Sequence, residues 1–290
     1  MAQDTLKSHP YYGRTVTLAT KHGKETVLGP PLKAAVGLMM DVPEDLDTDR
    51  LGTFTGEVPR IGSARATALK KARWGMAITG RLLGLASEGS FGPDPELLFV
   101  PTSHELLAFV DDGWGIEVIE QLIDPNTNYS HHAGKSLDDL EDFLIQAKFP
   151  SHGLIVRPNS GLMPDLLFKG ITDTEALRRT LKTCASASED GMAHVETDMR
   201  AFMNPTRRKV LGKVAHNLGR RLRTLCPQCK APGWGMVDVI KGLPCEWCGA
   251  ETLLTHKEVY GCPACDYVEN HPRRDGLSNA PASNCPYCNP

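Results

Sequence analysis

Cysteine is scarce over most of the chain: of nine cysteines in 290 residues, only Cys184 precedes residue 226. A secreted protein held by disulfides would spread its cysteines more widely, so that class is not favoured. The sequence also lacks an apolar run long enough to cross a bilayer, and its first residues lack the apolar core of an export signal. We therefore expect a cytoplasmic protein with no membrane partner.

An excess of one charge is lacking too, since 32 Lys and Arg stand against 35 Asp and Glu, giving a net charge of −3. This balance excludes a nucleic-acid binder that relies on overall positive charge, but it leaves room for a local basic face. The hydrophobic fraction of 41% is ordinary for a soluble globular chain, and 290 residues favour two domains.

Four Cys-x-x-Cys pairs are concentrated in the last 65 residues, separated by 15, 13 and 19 residues. Two residues between cysteines let both thiolates face one metal ion, and eight thiolates complete two tetrahedral sites. All-thiolate coordination leaves no open position for water, so the metal ions should be structural. We predict two Zn²⁺ ions, bound by Cys226, Cys229, Cys245, Cys248, Cys262, Cys265, Cys285 and Cys288.

The spacing alone does not decide how these four Cys-x-x-Cys pairs, which we call knuckles, combine into two metal sites. In a sequential order the first pair would join the second, and the third would join the fourth. In a nested order the second would join the third, and the two outer pairs would meet. In an alternating cross-brace the first would join the third, and the second would join the fourth. We favour the sequential order over the nested one, because every separation lies in the usual range for one site. Trp234 and Trp247 fall within this segment, and we expect both to pack in its small core rather than to stack on nucleic-acid bases.

Strand-like and helix-like segments alternate from residue 15 to residue 197. The alternation predicts an α/β fold, with a mixed sheet flanked by helices, ahead of a small zinc-ribbon module. Residues 15–20 fit a buried strand, and the Pro30-Pro31 pair suggests a stop before a short helix over 32–40.

A basic amphipathic helix should close the α/β domain. Asn204 suits its N-cap and Pro205 its first position, and the apolar stripe carries it to about Leu225. We expect its arginines and lysines, Arg207 among them, to face solvent. The predicted domains are therefore 1–224 and 225–290.

The turn after the first strand is a candidate phosphate site. Lys21-His22-Gly23-Lys24-Glu25 leaves the strand and enters a helix, so backbone N–H groups and the Lys24 ammonium could face a phosphate. Glu25 is close enough in sequence to share a divalent cation with that phosphate.

Three segments in order resemble the inosine/xanthosine triphosphate pyrophosphatase superfamily: LATKHGKE (18–25), FTGEVPRIGSARATALKKAR (54–73) and GLASEGSFGP (84–93). His22 and Thr67 stand where that superfamily has asparagine, and its acidic turn keeps one carboxylate, Glu88. The resemblance implies that Lys24 and Lys71 would hold a nucleotide triphosphate. It also implies that Glu25, Glu88 and either Asp111 or Asp112 would bind Mg²⁺ and position the attacking water. The whole chain additionally resembles an uncharacterised bacterial family with the same α/β-plus-cysteine layout.

A second group of candidate anion-binding residues lies at the start of the last helix: Asp198, Arg200, Asn204 and Arg207. Arginine at a helix N-terminus opposes the helix dipole, which suggests a bound anion such as phosphate. The alternative is a structural salt bridge from Asp198 to Arg200 or Arg207.

Two functions follow from these observations. One is a Mg²⁺-dependent hydrolase of nucleotide phosphates, with the cysteine segment as a structural module. The other is a non-catalytic protein that binds nucleic acid or a protein partner through its zinc knuckles and basic helix. We favour the enzyme.

Overall fold

The computed structural model describes residues 6–44, 46–51, 62–94, 99–161 and 163–289. A five-stranded sheet in the order β2-β1-β3-β4-β5 forms the centre of the chain. β1 runs parallel to β2 and β3, whereas β4 is antiparallel to both of its neighbours. The strands are β1 (Thr15–Ala19), β2 (Met39–Asp41), β3 (Leu83–Pro93), β4 (Pro101–Asp111) and β5 (Ile116–Asp124).

Helices cover both faces of this sheet, which confirms the predicted fold class. α1 (Glu25–Val36) buries Leu28 and Leu32 on one face, together with residues of the last helix. α2 (Ala64–Thr79) packs Ala72 and Met76 on the opposite face. Residues 54–61 of the segment that resembles the pyrophosphatases lie outside the described residues.

The predicted stop at Pro30-Pro31 is wrong, because both prolines lie inside α1. Each lacks the N–H that would bond to the carbonyl four residues earlier. The helix nevertheless continues to Val36, since Leu28, Leu32 and Val36 are all fully buried and the packing outweighs two lost bonds. The helix expected over 32–40 therefore ends at Val36, and β2 begins at Met39.

The single sheet expected over residues 15–197 is in fact two sheets. A separate four-stranded antiparallel sheet, in the order β6-β9-β7-β8, has a core of its own. Its strands are β6 (His131–Gly134), β7 (Leu154–Pro158), β8 (Phe168–Ile171) and β9 (Ala193–Thr197). α3 (Glu141–Ala147) and α4 (Thr174–Ala187) pack against it.

The last helix, α5 (Pro205–Arg223), returns to the five-stranded sheet and lies parallel to α1. Arg208 bonds to Thr26 near the start of both helices, and Gly219 lies beside Ala35 near their ends. Asn204 caps α5 by accepting a hydrogen bond from the Arg207 N–H at 2.9 Å, as predicted. The two helix N-termini therefore lie together, at the carboxyl end of β1. None of the helices in the described ranges is long and apolar enough to pass through a membrane.

The cysteine module, residues 225–289, contains a three-stranded antiparallel sheet in the order β10-β11-β12. The strands are β10 (Gly235–Lys241), β11 (Thr255–Gly261) and β12 (Val268–Pro272). Trp234 is buried and stacks on Tyr267 with ring centroids 5.3 Å apart, which confirms its expected packing role. The same expectation is wrong for Trp247, which is 76% exposed.

Candidate metal centres and a buried charged cluster

Eight cysteines form two tetrads in the cysteine module. Within each tetrad the sulfur atoms all lie within 4.8 Å of one another. Sulfur–sulfur distances between paired knuckles are 3.5–3.9 Å, as for Cys229–Cys262 and Cys226–Cys265. A tetrahedron with Zn–S bonds of about 2.3 Å has edges of about 3.8 Å, whereas a disulfide would place the sulfurs about 2.05 Å apart. The donor set therefore fits two Zn²⁺ ions and no disulfide.

The knuckle turns supply further support for metal binding. The backbone N–H groups of Trp247 and Ala264 point at the sulfurs of Cys245 and Cys262, at 3.4 and 3.3 Å. Hydrogen bonds of this kind stabilise a thiolate and orient it toward a metal. Lys230 and Gly249, each directly after a knuckle, take positive φ angles of 64° and 72°, which close the tight turn.

The pairing is the alternating one, so the predicted sequential order is wrong. Tetrad 1 joins Cys226 and Cys229 to Cys262 and Cys265, and tetrad 2 joins Cys245 and Cys248 to Cys285 and Cys288.

The antiparallel meander explains this pairing. Each of the three strands carries the chain from one end of the sheet to the other, so consecutive knuckles alternate between the two ends. The register agrees, because the start of β10 pairs with the end of β11 at Gly235 and Gly261.

Tetrad 1 lies at the end of the module that contacts the rest of the chain. Arg221 of α5 donates hydrogen bonds to the Gly233 carbonyl at 3.2 Å and to the Ile119 carbonyl of β5 at 2.9 Å. Gly233 has a φ of 98°, and a Cβ there would lie 2.8 Å from Val118. A glycine is therefore required where the module meets β5. Arg221 was predicted to face solvent, yet it is the side chain that joins the two parts.

Most of the remaining site residues lie at the carboxyl end of β1, beside the point where the connections to its two neighbouring strands diverge, and we call this place the crevice. α1 leaves β1 on one face of the sheet and α2 enters β3 on the other, so the connections diverge between β1 and β3. Open α/β sheets bind ligands at such a switch point. β1 ends at Ala19, opposite Ala86, while β3 continues, so Ser87 and Glu88 lie just beyond the end of β1.

Lys24 lies at this crevice, at the N-terminus of α1, and only 5% of it is exposed. Its ammonium nitrogen is 2.8 Å from the Ser87 hydroxyl oxygen. Burial, followed by the positive charge of Arg207, lowers the pKa of Lys24 to about 7, although Glu105 and Glu88 act in the opposite direction. Lys24 is thus a buried amine that changes charge near neutral pH.

Lys71 and Glu88 form an ion pair on the α2 face of the crevice, with Nζ and Oε1 2.5 Å apart. Both side chains are about nine-tenths buried. Glu88 belongs to the middle of β3, opposite Leu106, so the acidic turn that the resemblance implied is a strand. Lys71 is correspondingly a buried residue of α2 rather than a solvated one.

Arg207 and Glu105 form a fully buried, bidentate ion pair on the α1/α5 face, with N–O distances of 2.6 and 3.1 Å. The expectation that Arg207 faces solvent is wrong, because it is 1% exposed and also donates to the Met199 carbonyl. A Cβ at Gly89 would lie 2.6 Å from this guanidinium, so the pair fits only against glycine.

Glu105 was not among the residues predicted from the sequence. It shares a strand face with the buried Leu107 and Phe109, and this alternation is the signal that could have identified it as buried.

Asp198 and Arg200 form the structural salt bridge that was the alternative to an anion pocket. Arg200 holds the fully buried Asp198 carboxylate with N–O distances of 2.9, 3.1 and 2.5 Å. Asn204 is fully buried as well and bonds to Asn128 and to the start of α5. These polar groups are satisfied within the protein, so they shape the base of α5.

The predicted magnesium ligands do not come together as one group of three among the described residues. Asp111 lies at the other end of β3 and β4, about 17 Å away along the strands, where its carboxylate accepts bonds from the Gly113 and Trp114 N–H groups. Glu25 begins α1 and is half-buried. Within the described ranges the only groups of three or more metal-binding side chains are the cysteine tetrads.

The fold and the two tetrads define an α/β protein with an interleaved cysteine module of the zinc-binding type. The chain belongs to the family described as domain of unknown function DUF6671, which matches residues 71–290. The matched region includes all eight cysteines together with Lys71, Glu88, Glu105 and Arg207, whereas Lys24 precedes it. No curated protein is similar enough to match the chain.

Proposed function

We propose that the crevice at the carboxyl end of β1 binds and hydrolyses the phosphate groups of a nucleotide, and that the cysteine module is structural. The observation that carries this proposal is the charge of the buried cluster. Among the described residues, Lys24, Lys71 and Arg207 can supply three positive charges, against two negative ones from Glu88 and Glu105. Lys24 loses its proton near neutral pH, because burial and the charge of Arg207 disfavour its ammonium, and a bound phosphate would provide the counter-charge that keeps Lys24 protonated.

The position of the cluster favours phosphate over other anions. The helices α1 and α5 both begin beside the cluster, and helix N-termini stabilise phosphate through their dipoles and N–H groups. Phosphoryl transfer needs charge neutralisation and alignment more than covalent assistance from the protein. Lys24 and Lys71, on opposite faces of the sheet, would neutralise the charge that develops on the phosphoryl oxygens.

The described residues do not bring three oxygen ligands together, so the protein alone does not build a magnesium site from them. A divalent cation would enter with the nucleotide as its counter-ion. The assay should therefore compare turnover with and without Mg²⁺.

The experiment measures phosphate and pyrophosphate release from the common nucleoside triphosphates. Lys24→Met and Lys71→Met should reduce release by about 100-fold or more, because each removes a charge from a water-poor site. Lys33→Met, on the exposed side of α1, and Lys70→Met, exposed beside Lys71, are matched controls that should leave turnover unchanged. Absence of turnover in the wild type across the panel would refute the hydrolase.

A second candidate function is recognition of a protein partner by tetrad 2. Trp247 and Tyr287 lie in two knuckles of this tetrad and are 76% and 77% exposed. The adjacent Glu246 is exposed and negative, which disfavours binding of a nucleic-acid backbone.

The basic face of α5 that was expected to assist binding is smaller than predicted. Arg207 is buried, Arg221 is bonded at the module interface, and Lys213 pairs with Asp124 at 2.6 Å. A photo-crosslinking residue at position 287 should capture a partner, whereas one at the exposed Leu277 should not.

A further inference from the structure

A cleft of about 500 Å³ lies beside the four-stranded sheet, far along the chain from the crevice described above. One wall is α4 and the other is the connection from β6 to α3. The residues that line it are Lys135, Ser136, Leu137, Arg178, Leu181, Lys182, Ala185, Ser186 and Gly191. Its volume is within the range of pockets that hold small organic ligands, roughly 300–1,000 Å³.

The charged side chains of this cleft are all positive. Lys135, Arg178 and Lys182 line it, and none of its lining residues in the described ranges carries a carboxylate. Arg178 and Lys182 are four residues apart on α4, where like charges repel each other. Among the described residues Glu175 lies 3.4 Å from Arg178, but this pair is more than 60% exposed. No acidic side chain in the described part of the chain is within ion-pair distance of Lys182.

An acidic group close in sequence to the opposite wall is already engaged. Asp139 accepts hydrogen bonds from the backbone N–H groups of Lys135 and Ser136, both at 3.0 Å. The backbone hydrogen bond from Lys135 and the side-chain hydrogen bond with Ser136 hold the pKa of Asp139 below its usual value. The Asp139 carboxylate thus fixes the turn that contains Lys135, which lines the cleft.

The floor of the cleft differs in chemistry from its rim. Leu181 is buried, and Leu137 and Ala185 are half-buried, so the floor is apolar. Ser136 and Ser186 also line the cleft and add hydroxyl groups to it. An apolar floor below three cations suits a molecule with an apolar body and a doubly charged head.

We propose that this cleft binds a small phosphate monoester, with its phosphate between Lys135, Arg178 and Lys182 and its apolar part on Leu137 and Leu181. The site is independent of the crevice at β1, because it lies on the other sheet and shares no residue with it. A cleft that binds no phosphate monoester would not contradict the proposed hydrolase, and a crevice without hydrolase activity would not contradict binding in the cleft.

Phenyl phosphate is a suitable probe, since it combines an aromatic ring with a phosphate dianion. Titration followed by amide NMR should shift the signals of residues 135–137 and 178–191 at millimolar or lower concentration. Inorganic phosphate and benzyl alcohol, which each carry one half of the probe, should bind at least about tenfold more weakly.

Matched variants decide whether the cleft is the site. Arg178→Met with Lys182→Met should weaken phenyl phosphate binding by about tenfold, as expected for two partly exposed charge contacts. Arg179→Met, which removes an exposed charge from the same helix outside the cleft, should leave affinity unchanged. Circular dichroism should confirm that all variants fold. Equal weakening in both kinds of variant, or binding no tighter than that of inorganic phosphate, would overturn the proposal.

Discussion

The cysteine module and the five-stranded sheet differ in how far apart in the sequence the residues of each site lie. In the module, each half of a metal site comes from one tight turn, with two cysteines separated by two residues. At the sheet, Lys24, Lys71, Glu88, Glu105 and Arg207 come from five separate elements, up to 183 residues apart. We expect the module to depend on bound metal ions for its stability, whereas the crevice has to be held by the fold before any ligand binds.

This contrast predicts where each part is vulnerable. The module has few large buried side chains, so loss of metal should remove most of its stability. The crevice is surrounded by an extensive apolar core, so loss of one ion pair should weaken the fold without abolishing it.

The largest expected effect comes from cysteine pairs chosen to test the alternating arrangement. Cys229→Ser with Cys265→Ser damages tetrad 1 alone, so one tightly bound Zn²⁺ should remain per chain. Cys229→Ser with Cys248→Ser damages both tetrads, so none should remain. Each lost site removes on the order of 10 kcal/mol of metal-binding free energy. Metal analysis after exposure to a chelator measures the stoichiometry.

Sequential pairing would give the reverse result, with one ion left in the second double variant and none in the first. Wild-type protein should contain two ions per chain. A chain that binds no zinc at all would contradict the structural role of the module.

The next effect in size concerns the buried ion pair of the crevice. Arg207→Met leaves the Glu105 carboxylate buried without its partner, and should lower the free energy of unfolding by about 3–5 kcal/mol. Lys213→Met removes a partly exposed pair with Asp124 from the same helix, and should cost no more than about 1 kcal/mol. Urea unfolding monitored by circular dichroism measures both. Equal effects would show that Arg207 is not a buried anchor.

Lys24 should give the protein a distinct dependence on pH. Its pKa is about 7 in the folded chain, against 10.5 for an ordinary lysine. Between these values the unfolded chain binds a proton that the folded chain does not, so stability rises with pH, by at most about 1.4 kcal/mol per pH unit. Lys24→Met should lack this rise, whereas Lys33→Met should keep it.

The measurement is the difference in unfolding free energy between wild type and Lys24→Met at pH 7 and pH 9. We expect that difference to change by about 2 kcal/mol in favour of the wild type at the higher pH. A difference that stays constant would place Lys24 in water rather than in the protein interior.

The smallest expected effect is that of Trp247→Ala, which should change stability by less than about 0.5 kcal/mol because the side chain is 76% exposed. Trp234→Ala, in the same module, should cost about 3–5 kcal/mol because its ring is buried against Tyr267. Thermal unfolding of the metal-loaded protein distinguishes the two. A large effect at Trp247 would mean that it has a packing role that its exposure does not show.

The sequence was sufficient for features that depend on local spacing. The grouping of the eight cysteines into two sets of four, the cap at Asn204 and the alternation of strands and helices were predicted correctly. The alternating tetrads were also within reach, because β10 and β11 read as strands and strands of a meander change ends. Each strand carries the chain to the opposite end of the sheet, which brings the first knuckle to the third and the second knuckle to the fourth.

The crevice was harder to predict because its partners are distant in sequence. Arg207 lies three and four residues before Val210 and Leu211, so the helical period already places it on the buried stripe. Its charge led to the opposite expectation. Neither the period nor the charge could identify Glu105, 102 residues earlier, as its partner.

The alternating tetrads have a consequence for metal exchange. The segment closed by tetrad 1, from Cys226 to Cys265, contains half the ligands of tetrad 2, and the segment closed by tetrad 2 contains half of those of tetrad 1. When one ion leaves, the other still tethers the emptied thiolates near one another, and their high local concentration favours recapture. Net loss of either ion should therefore be slow while the other is bound, and a scavenger that takes one ion at a time should strip the protein slowly.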